Sequence, residues 1–509
     1  MKSIRNSTII VILSFTLAAC GGNQESNSEE PLQSKKSMDT ATTEESMAMP
    51  EPGRPALPND AEYDAMYFEN YGTNPFIATE DDPLSTFAID VDTGSYSLVR
   101  QYIEQGSLPP KEAVRVEEFV NYFPIDIQST NDDTFTTLID SISSPFGENY
   151  DLVRMTVKGK DIPIESRKPA NLIFVVDVSG SMQEGNRLEL VKKSLRLLTS
   201  QLQEGDTIGL VTYGSSAQIE FPPTTVTEKD EIFSAIDSLH PGGSTYAEEG
   251  LQLGYSLARE YLIDGGINRV ILCSDGVANV GKTSADGILK TVAQYAEEDI
   301  TLSAFGFGMG NYNDVLMEQL ADKGNGNYAY IDSFSEARRI FTEALTGTLQ
   351  TIANDVKIQV EFNPAFVDRY RLLGYENRDV RDEDFRNDEA DGGEVGAGHT
   401  VTALYEVRVK QPTEGPIGTM HIRWNHVEDN DVEERSLPIE LKQHKTDETL
   451  FLAAVAEFAE IMRDSYWAKE SSLKDVLALL ETVNLDDEEK LKFVGLVKNT
   501  IAIEESLYQ

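Results

Sequence analysis

The stretch Asn171–Met182, NLIFVVDVSGSM, constrains this chain more than any other. Its five consecutive apolar residues, Leu172–Val176, are too few for a helix and suit a buried strand. The run stops at Asp177, and Ser179, Gly180 and Ser181 follow. One carboxylate and two hydroxyls therefore gather where the strand emerges. Gly180 lets the backbone turn sharply there, and a helical pattern begins soon after. An all-oxygen donor set of this kind suits a hard divalent cation such as Mg²⁺, which takes about six oxygens and keeps some waters.

From Asn171 to Leu349, short apolar strands alternate with amphipathic helices. Strands are expected at Leu172–Asp177, Thr207–Tyr213, Arg269–Ser274 and Thr301–Phe307. Helices are expected at Arg187–Gln203, Lys229–Leu239, Tyr246–Leu262, Ala285–Glu297, Asn313–Asp322 and Ser335–Leu349. This order predicts a doubly wound α/β unit, a parallel sheet covered on both faces. Ligands in such sheets bind beyond the carboxyl ends of the strands. Two further motifs fall there: Thr245 in the glycine-rich stretch His240–Thr245, and Asp275 directly after the strand ending at Ser274.

Asp177, Ser179, Ser181, Thr245 and Asp275, in this order, resemble the metal-ion-dependent adhesion site of von Willebrand factor type A (VWA) domains. The resemblance implies a Rossmann-like fold and a bound Mg²⁺, with Mn²⁺ or Ca²⁺ as alternatives. It also implies a free coordination position that accepts an acidic side chain from a protein partner. Taken singly, the first motif reads as a helix cap and the other two as turns. Three parts in the right order argue against that plainer reading.

The similarity extends beyond this unit. FAIDVDTGSYSLVR (87–100), RVEEFVNYFP (115–124) and DGGEVGAGHTVTALYEV (391–407) look like bacterial VWA proteins with an associated N-terminal segment and a C-terminal domain. That group is often described as homologous to calcium-activated chloride channel proteins. No stretch after Cys20 is apolar and long enough to cross a bilayer, so the channel activity is not carried over. Alternating strand patterns flank the VWA unit on both sides, at Thr136–Asp140 and Leu152–Val157, then at Val356–Phe362, Arg369–Leu373, Val401–Val409, Met420–Trp424 and Ser436–Leu441. Strand edges need partners, which predicts a β-sandwich into which the VWA unit is inserted. The expected plan is a signal at 1–20, a tether at 21–60, the associated segment at 61–130 and sandwich strands at 131–165. The VWA unit follows at 166–352, more sandwich at 353–445, and a helical module at 446–509.

Lys2 and Arg5 precede the apolar stretch Ile9–Thr16, and Leu17-Ala18-Ala19-Cys20 closes it. This reads as an export signal, and its ending resembles the lipobox of bacterial lipoproteins. The implied outcome is lipid on Cys20 and a membrane anchor in the cell envelope; Gly21 resembles outer-membrane sorting in Gram-negative bacteria. An ordinary cleaved signal is the alternative. Residues 21–60 are too polar to fold. Cys273 sits in an apolar strand pattern and reads as a buried small hydrophobe. With 87 acidic against 43 basic residues, a formal net charge of −44 argues against nucleic acid as a partner.

Two other acidic stretches bear on cation binding. Asp90, Asp92, Thr93 and Ser95 superficially repeat the carboxylate-plus-hydroxyl pattern, although Thr/Ser capping of a helix at 95–105 is the commoner use of such residues. The segment Glu376–Glu394 lacks the EF-hand spacing, with Arg386 at the fifth position from Asp382, and reads as a solvated loop. Motifs for hydrolases, phosphate loops and zinc sites are absent, and the five histidines are scattered. The expectation is a binding protein rather than an enzyme, with no catalytic residue and no small-molecule substrate. An envelope assembly factor with a purely stabilising metal, and a metal-assisted hydrolase, are the alternatives.

Overall fold

Every residue of the strand Ala170–Asp177 is buried, which is why its sequence is apolar without interruption. In the computed structural model, Leu172, Phe174 and Val176 face one hydrophobic layer, and Ile173 and Val175 face the other. The period of two is that of a strand covered on both sides. The structure describes residues 66–507 apart from 90, 126, 130–132, 277–281, 310–311, 389, 411–414, 442–445 and 486, and without the side chains of 282–286 and 343. Cys20, the signal, the tether and Asp90 lie outside the described residues.

Six strands form the VWA sheet, in the order Tyr328–Tyr330, Ile300–Gly306, Ile267–Ser274, Ala170–Asp177, Thr207–Tyr213, Ala217–Thr225. The first five run parallel. The sixth is antiparallel to its neighbour, which corrects the all-parallel expectation. Ala217–Thr225 has no buried residue and carries Pro222 and Pro223, both tolerated on an edge strand. One layer over the sheet holds the helix Arg187–Gln201, through Leu188, Val191, Leu195 and Leu198; the other holds Ala247–Glu260, through Leu251, Tyr255 and Ala258. The single helix expected at Ser335–Leu349 is instead Phe334–Arg338, a π-helical turn Arg339–Glu343, and Leu345–Leu349. Within that turn Arg339 reaches Glu336 and the hydroxyl of Thr93.

The flanking strands make two further sheets that enclose a shared core, with Val153, Met155 and Tyr405 on one side and Val360, Ile422 and Trp424 on the other. The VWA unit is inserted between the strands Asp151–Gly159 and Thr351–Phe362. Residues of the N-terminal segment join in: Ile77–Ala78 pairs with Val367–Leu372, and Leu84–Ala88 with Thr351–Phe362. The outer face of one sheet, through Ile142, Leu152 and Leu404, is covered by a helical layer. That layer combines helices from both ends of the sequence, Gly94–Glu104 and Val116–Tyr122 with Asp447–Met462, Leu473–Leu480 and Glu488–Leu507. No helix among the described residues is long and apolar enough to cross a membrane.

The N-terminal segment also seals the open edge of the VWA sheet. Asp92 accepts the Tyr328 N–H at 2.9 Å, and Gln101 accepts the Tyr330 hydroxyl at 2.5 Å. A β-carbon on Gly94 would lie 2.5 Å from the Tyr328 ring, so only glycine fits this approach. Arg100 holds Asp332 through two 2.7 Å hydrogen bonds and reaches Glu336 and the Tyr122 hydroxyl.

Candidate metal centre

Asp177, the last residue of its strand, is fully buried. Its Oδ1 accepts the Ser179 N–H at 2.8 Å, and its Oδ2 accepts the Ser274 hydroxyl at 3.0 Å. These bonds orient the carboxylate and turn the chain, and the Ser179 and Ser181 hydroxyl oxygens then stand 3.0 Å apart. The adjacent parallel strand ends at Ser274, so Asp275 emerges on the same side, 5% exposed. Burial pushes the Asp177 carboxyl up to about 6, with the Asp275 charge adding to it and the bonds from Ser179 and Ser274 opposing it.

Thr245 arrives on a loop stitched to the first motif. The Gly242 N–H donates to the Val178 carbonyl at 2.6 Å, and the Gly180 N–H donates to the Gly243 carbonyl at 3.1 Å. On the far side, the Ser244 N–H donates to the Ser215 hydroxyl and the Tyr246 N–H to the Gly214 carbonyl, each at 3.1 Å. Thr245 is half-buried on this rim, and the following Tyr246 is 58% exposed. All five predicted residues thus lie at the carboxyl end of the sheet, Asp177 at the end of its strand and the others beyond the strands.

Three residues near them escaped the sequence reading. Ser274 orients Asp177. Tyr213 places a buried phenol beside Asp177 and Ser274, and burial, then the Asp177 charge, holds it well above the usual range. Arg187, the first residue of its helix, donates from Nη1 to Asp275 Oδ2 at 2.7 Å. Only Ser274 carried a signal, as the hydroxyl next to Asp275 in the sequence.

The donor set consists of two carboxylates and three hydroxyls, with no nitrogen or sulfur ligand. Cys273 faces the hydrophobic layer instead, and burial raises its thiol far above the usual range. Among the described residues no three His, Cys, Asp or Glu side chains converge. Such oxygens fit a hard cation of the Mg²⁺ or Mn²⁺ type. Two close, buried carboxylates also need positive charge nearby.

The other acidic stretches have different partners. Asp92 receives Tyr328 and Arg378, Thr93 receives Arg339, and Ser95 donates to the Ala113 carbonyl at 2.6 Å. The expected side-chain cap at Thr93 is not formed. This motif docks the N-terminal segment on the VWA sheet. In the acidic segment, Glu376 pairs with Arg463, Asp384 with Arg381, Asp388 with Arg423 and Asp391 with Lys323. Asp382 accepts the Thr86 hydroxyl at 2.5 Å. The loop is an ion-paired strap across the sandwich rather than a freely solvated one.

Comparison with known proteins agrees with this architecture. The von Willebrand factor type A domain family matches residues 171–343, a family described as von Willebrand factor matches 62–154, and the C-terminal domain of YfbK matches 347–503. The uncharacterized protein YfbK of Escherichia coli K12 is 36% identical over 461 residues, which are 85% of this chain and 80% of that protein. The chain belongs to the YfbK family. Human inter-alpha-trypsin inhibitor heavy chain H3 is 27% identical over 282 residues, 51% of this YfbK-family chain but only 31% of the heavy chain's length. A von Willebrand factor type A structure from Catenulispora acidiphila is 15% identical, with a TM-score of 0.44, covering 73% of this chain and 91% of that one. As a VWA-domain protein, this member of the YfbK family falls in a class that commonly mediates metal-dependent protein interactions.

Proposed function

We propose that this chain is a lipid-anchored protein of the bacterial cell envelope that binds another protein through a divalent metal. Asp177, Ser179, Ser181, Thr245 and Asp275 hold the ion, Mg²⁺ first and Mn²⁺ or Ca²⁺ otherwise. The ion supplies a Lewis-acidic position for a carboxylate oxygen of the partner. The observation that supports this reading is the mutual stitching of the 177–181 and 242–245 loops, next to two buried carboxylates and the paired Ser179 and Ser181 hydroxyls. Anchoring rests on the LAAC sequence at Leu17–Cys20 and the polar stretch after it. In a Gram-negative cell, Gly21 after the lipidated cysteine favours the outer membrane. No catalytic residue is assigned.

The test is Mg²⁺ and Mn²⁺ titration calorimetry on the full chain in detergent, beside Asp177→Ala and Ser179→Ala. Metal binding by the wild type and its loss in Asp177→Ala are expected. Capture of a partner from envelope extract is expected to require metal and to fail with chelator. Absence of metal binding by the wild type refutes the reading. If Ser179→Ala loses stability yet still captures the partner, the metal is a fold stabiliser and the protein an assembly factor.

A further inference from the structure

Arg187 occupies a place in the centre that the five oxygen donors do not explain. Its guanidinium donates to Asp275 Oδ2 at 2.7 Å, to the Ser181 carbonyl at 3.3 Å, and to the Met309 carbonyl. It therefore ties together the loops after three strands. Its side chain is 12% exposed and its carboxylate partner 5%. The chain makes room for it at Gly308, whose φ of +85° disfavours any other residue. A β-carbon there would collide with the Nε, Cδ and Cγ of Arg187. The surroundings thus fix this cation in position, and an arginine stays charged at any ordinary pH.

Building on the metal-site reading, we propose that Arg187 is a fixed counter-charge that makes the metal-loaded centre cationic and so selects an anionic partner group. The buried carboxylates Asp177 and Asp275 against Arg187 leave −1 without metal; the Glu184 carboxylate, 3.5 Å from the guanidinium, is exposed and screened by solvent. A divalent ion brings the centre to +1, and one carboxylate from the partner brings it to zero. The guanidinium's hydrogen bond to Oδ2 takes up part of the Asp275 carboxylate's acceptor capacity. Arg187 therefore weakens metal binding taken alone and strengthens the binding of a carboxylate to the metal-loaded centre. The ion–carboxylate contact couples the two ligands, so each binds better when the other is present, by the same factor, and Arg187 sets how strongly the loaded centre draws the anion.

Mg²⁺ affinity of the full chain, measured by calorimetry in chloride and in acetate as the carboxylate probe, tests this. For the wild type, acetate is expected to tighten Mg²⁺ binding. Arg187→Gln is expected to bind Mg²⁺ about tenfold more tightly in chloride, because a cation beside a dication has been removed, and to show a clearly smaller acetate effect, because the loaded centre attracts the anion less. Arg187→Lys keeps the charge and is expected to behave like the wild type. Gly308→Ala, which expels the arginine side chain, shifts both quantities in the same direction as Arg187→Gln and covers the case in which that variant fails to fold. Weaker Mg²⁺ binding by Arg187→Gln, or an unchanged acetate effect, overturns the proposal while leaving the metal site standing. No Mg²⁺ binding by the wild type overturns both.

Discussion

Replacing Arg100 by methionine tests how firmly the N-terminal segment is bound to the VWA sheet. Arg100 is 11% exposed, and its partners Asp332 and Glu336 are 3% and 1% exposed. Methionine keeps most of the apolar stem but leaves two buried carboxylates with Arg339 as their remaining cation. Breaking a buried pair from one side costs about 3–5 kcal/mol. The lost hydrogen bond to Tyr122 adds about 1 kcal/mol. A loss of about 4–6 kcal/mol in urea unfolding at pH 7 is therefore expected. The loss depends on pH. Burial already outweighs Arg100 and holds Asp332 above the ordinary carboxyl range, whereas Arg339 and Arg100 together overcome burial and hold Glu336 below it. Without Arg100 both folded-state values rise, that of Asp332 further above its unfolded value. The penalty is then full above the folded-state values and fades as pH falls through them. The deficit at pH 5 is expected to be clearly smaller than at pH 7, and Asp332→Asn in the same chain is expected to restore part of it. A loss below about 1 kcal/mol, the size of an exposed pair, or one equal at both pH values, refutes the reasoning.

Gly94→Ala is expected to cost about 1–3 kcal/mol by overpacking against Tyr328, and to speed hydrogen exchange in Gly94–Glu104 and Tyr328–Tyr330. Glu117 is buried, and burial, with Glu376 and Glu118 adding to it, pushes its carboxyl up to about 7. Raised above its unfolded value, it favours folding only while protonated, so stability is lost as pH rises towards 7. Glu117→Gln is accordingly expected to be more stable than wild type at pH 8, by about 2 kcal/mol or more, and nearly equal at pH 4.5 in urea titrations. Expressed alone, residues 166–352 are expected to self-associate in sedimentation velocity, because Tyr328 and Tyr330 lose the segment that covers their edge.

The centre of the VWA sheet was legible because its strands are buried on both faces and read as apolar runs. The edges were not. Ala217–Thr225 has one neighbour and faces solvent, so neither a continuous apolar run nor a clean alternation marks it. Tyr328–Tyr330 is three residues long, too short for a period to emerge. The five candidate oxygen donors could be named from the sequence because side-chain chemistry and place in the strand order coincide. Arg187 could not, since its role depends on a loop 88 positions away and nothing local distinguishes it from any first-turn arginine. The DTGSYS motif shows the opposite failure. Its carboxylate and hydroxyls suggested a cation, yet Asp92 and Thr93 meet protein groups more than two hundred residues further on, beyond the reach of local pattern, and Ser95 bonds to Ala113.

The insertion of the VWA unit between two sandwich strands has a mechanical consequence. The chain enters at Ala170 and leaves near Gln350, and the Lys168 N–H donates to the Gln350 side chain at 3.1 Å, so the two crossings lie side by side. Arg167 and Asp206, both fully buried, lock the entry strand to its neighbour. Tension applied at the carboxyl end of the sheet runs down Ala170–Asp177 and meets two covalent attachments that share the load in parallel. A domain hung on one linker swivels under such a pull. This one is held against rotation, so a ligand that tugs on the rim pulls on the whole sandwich rather than turning a loose head.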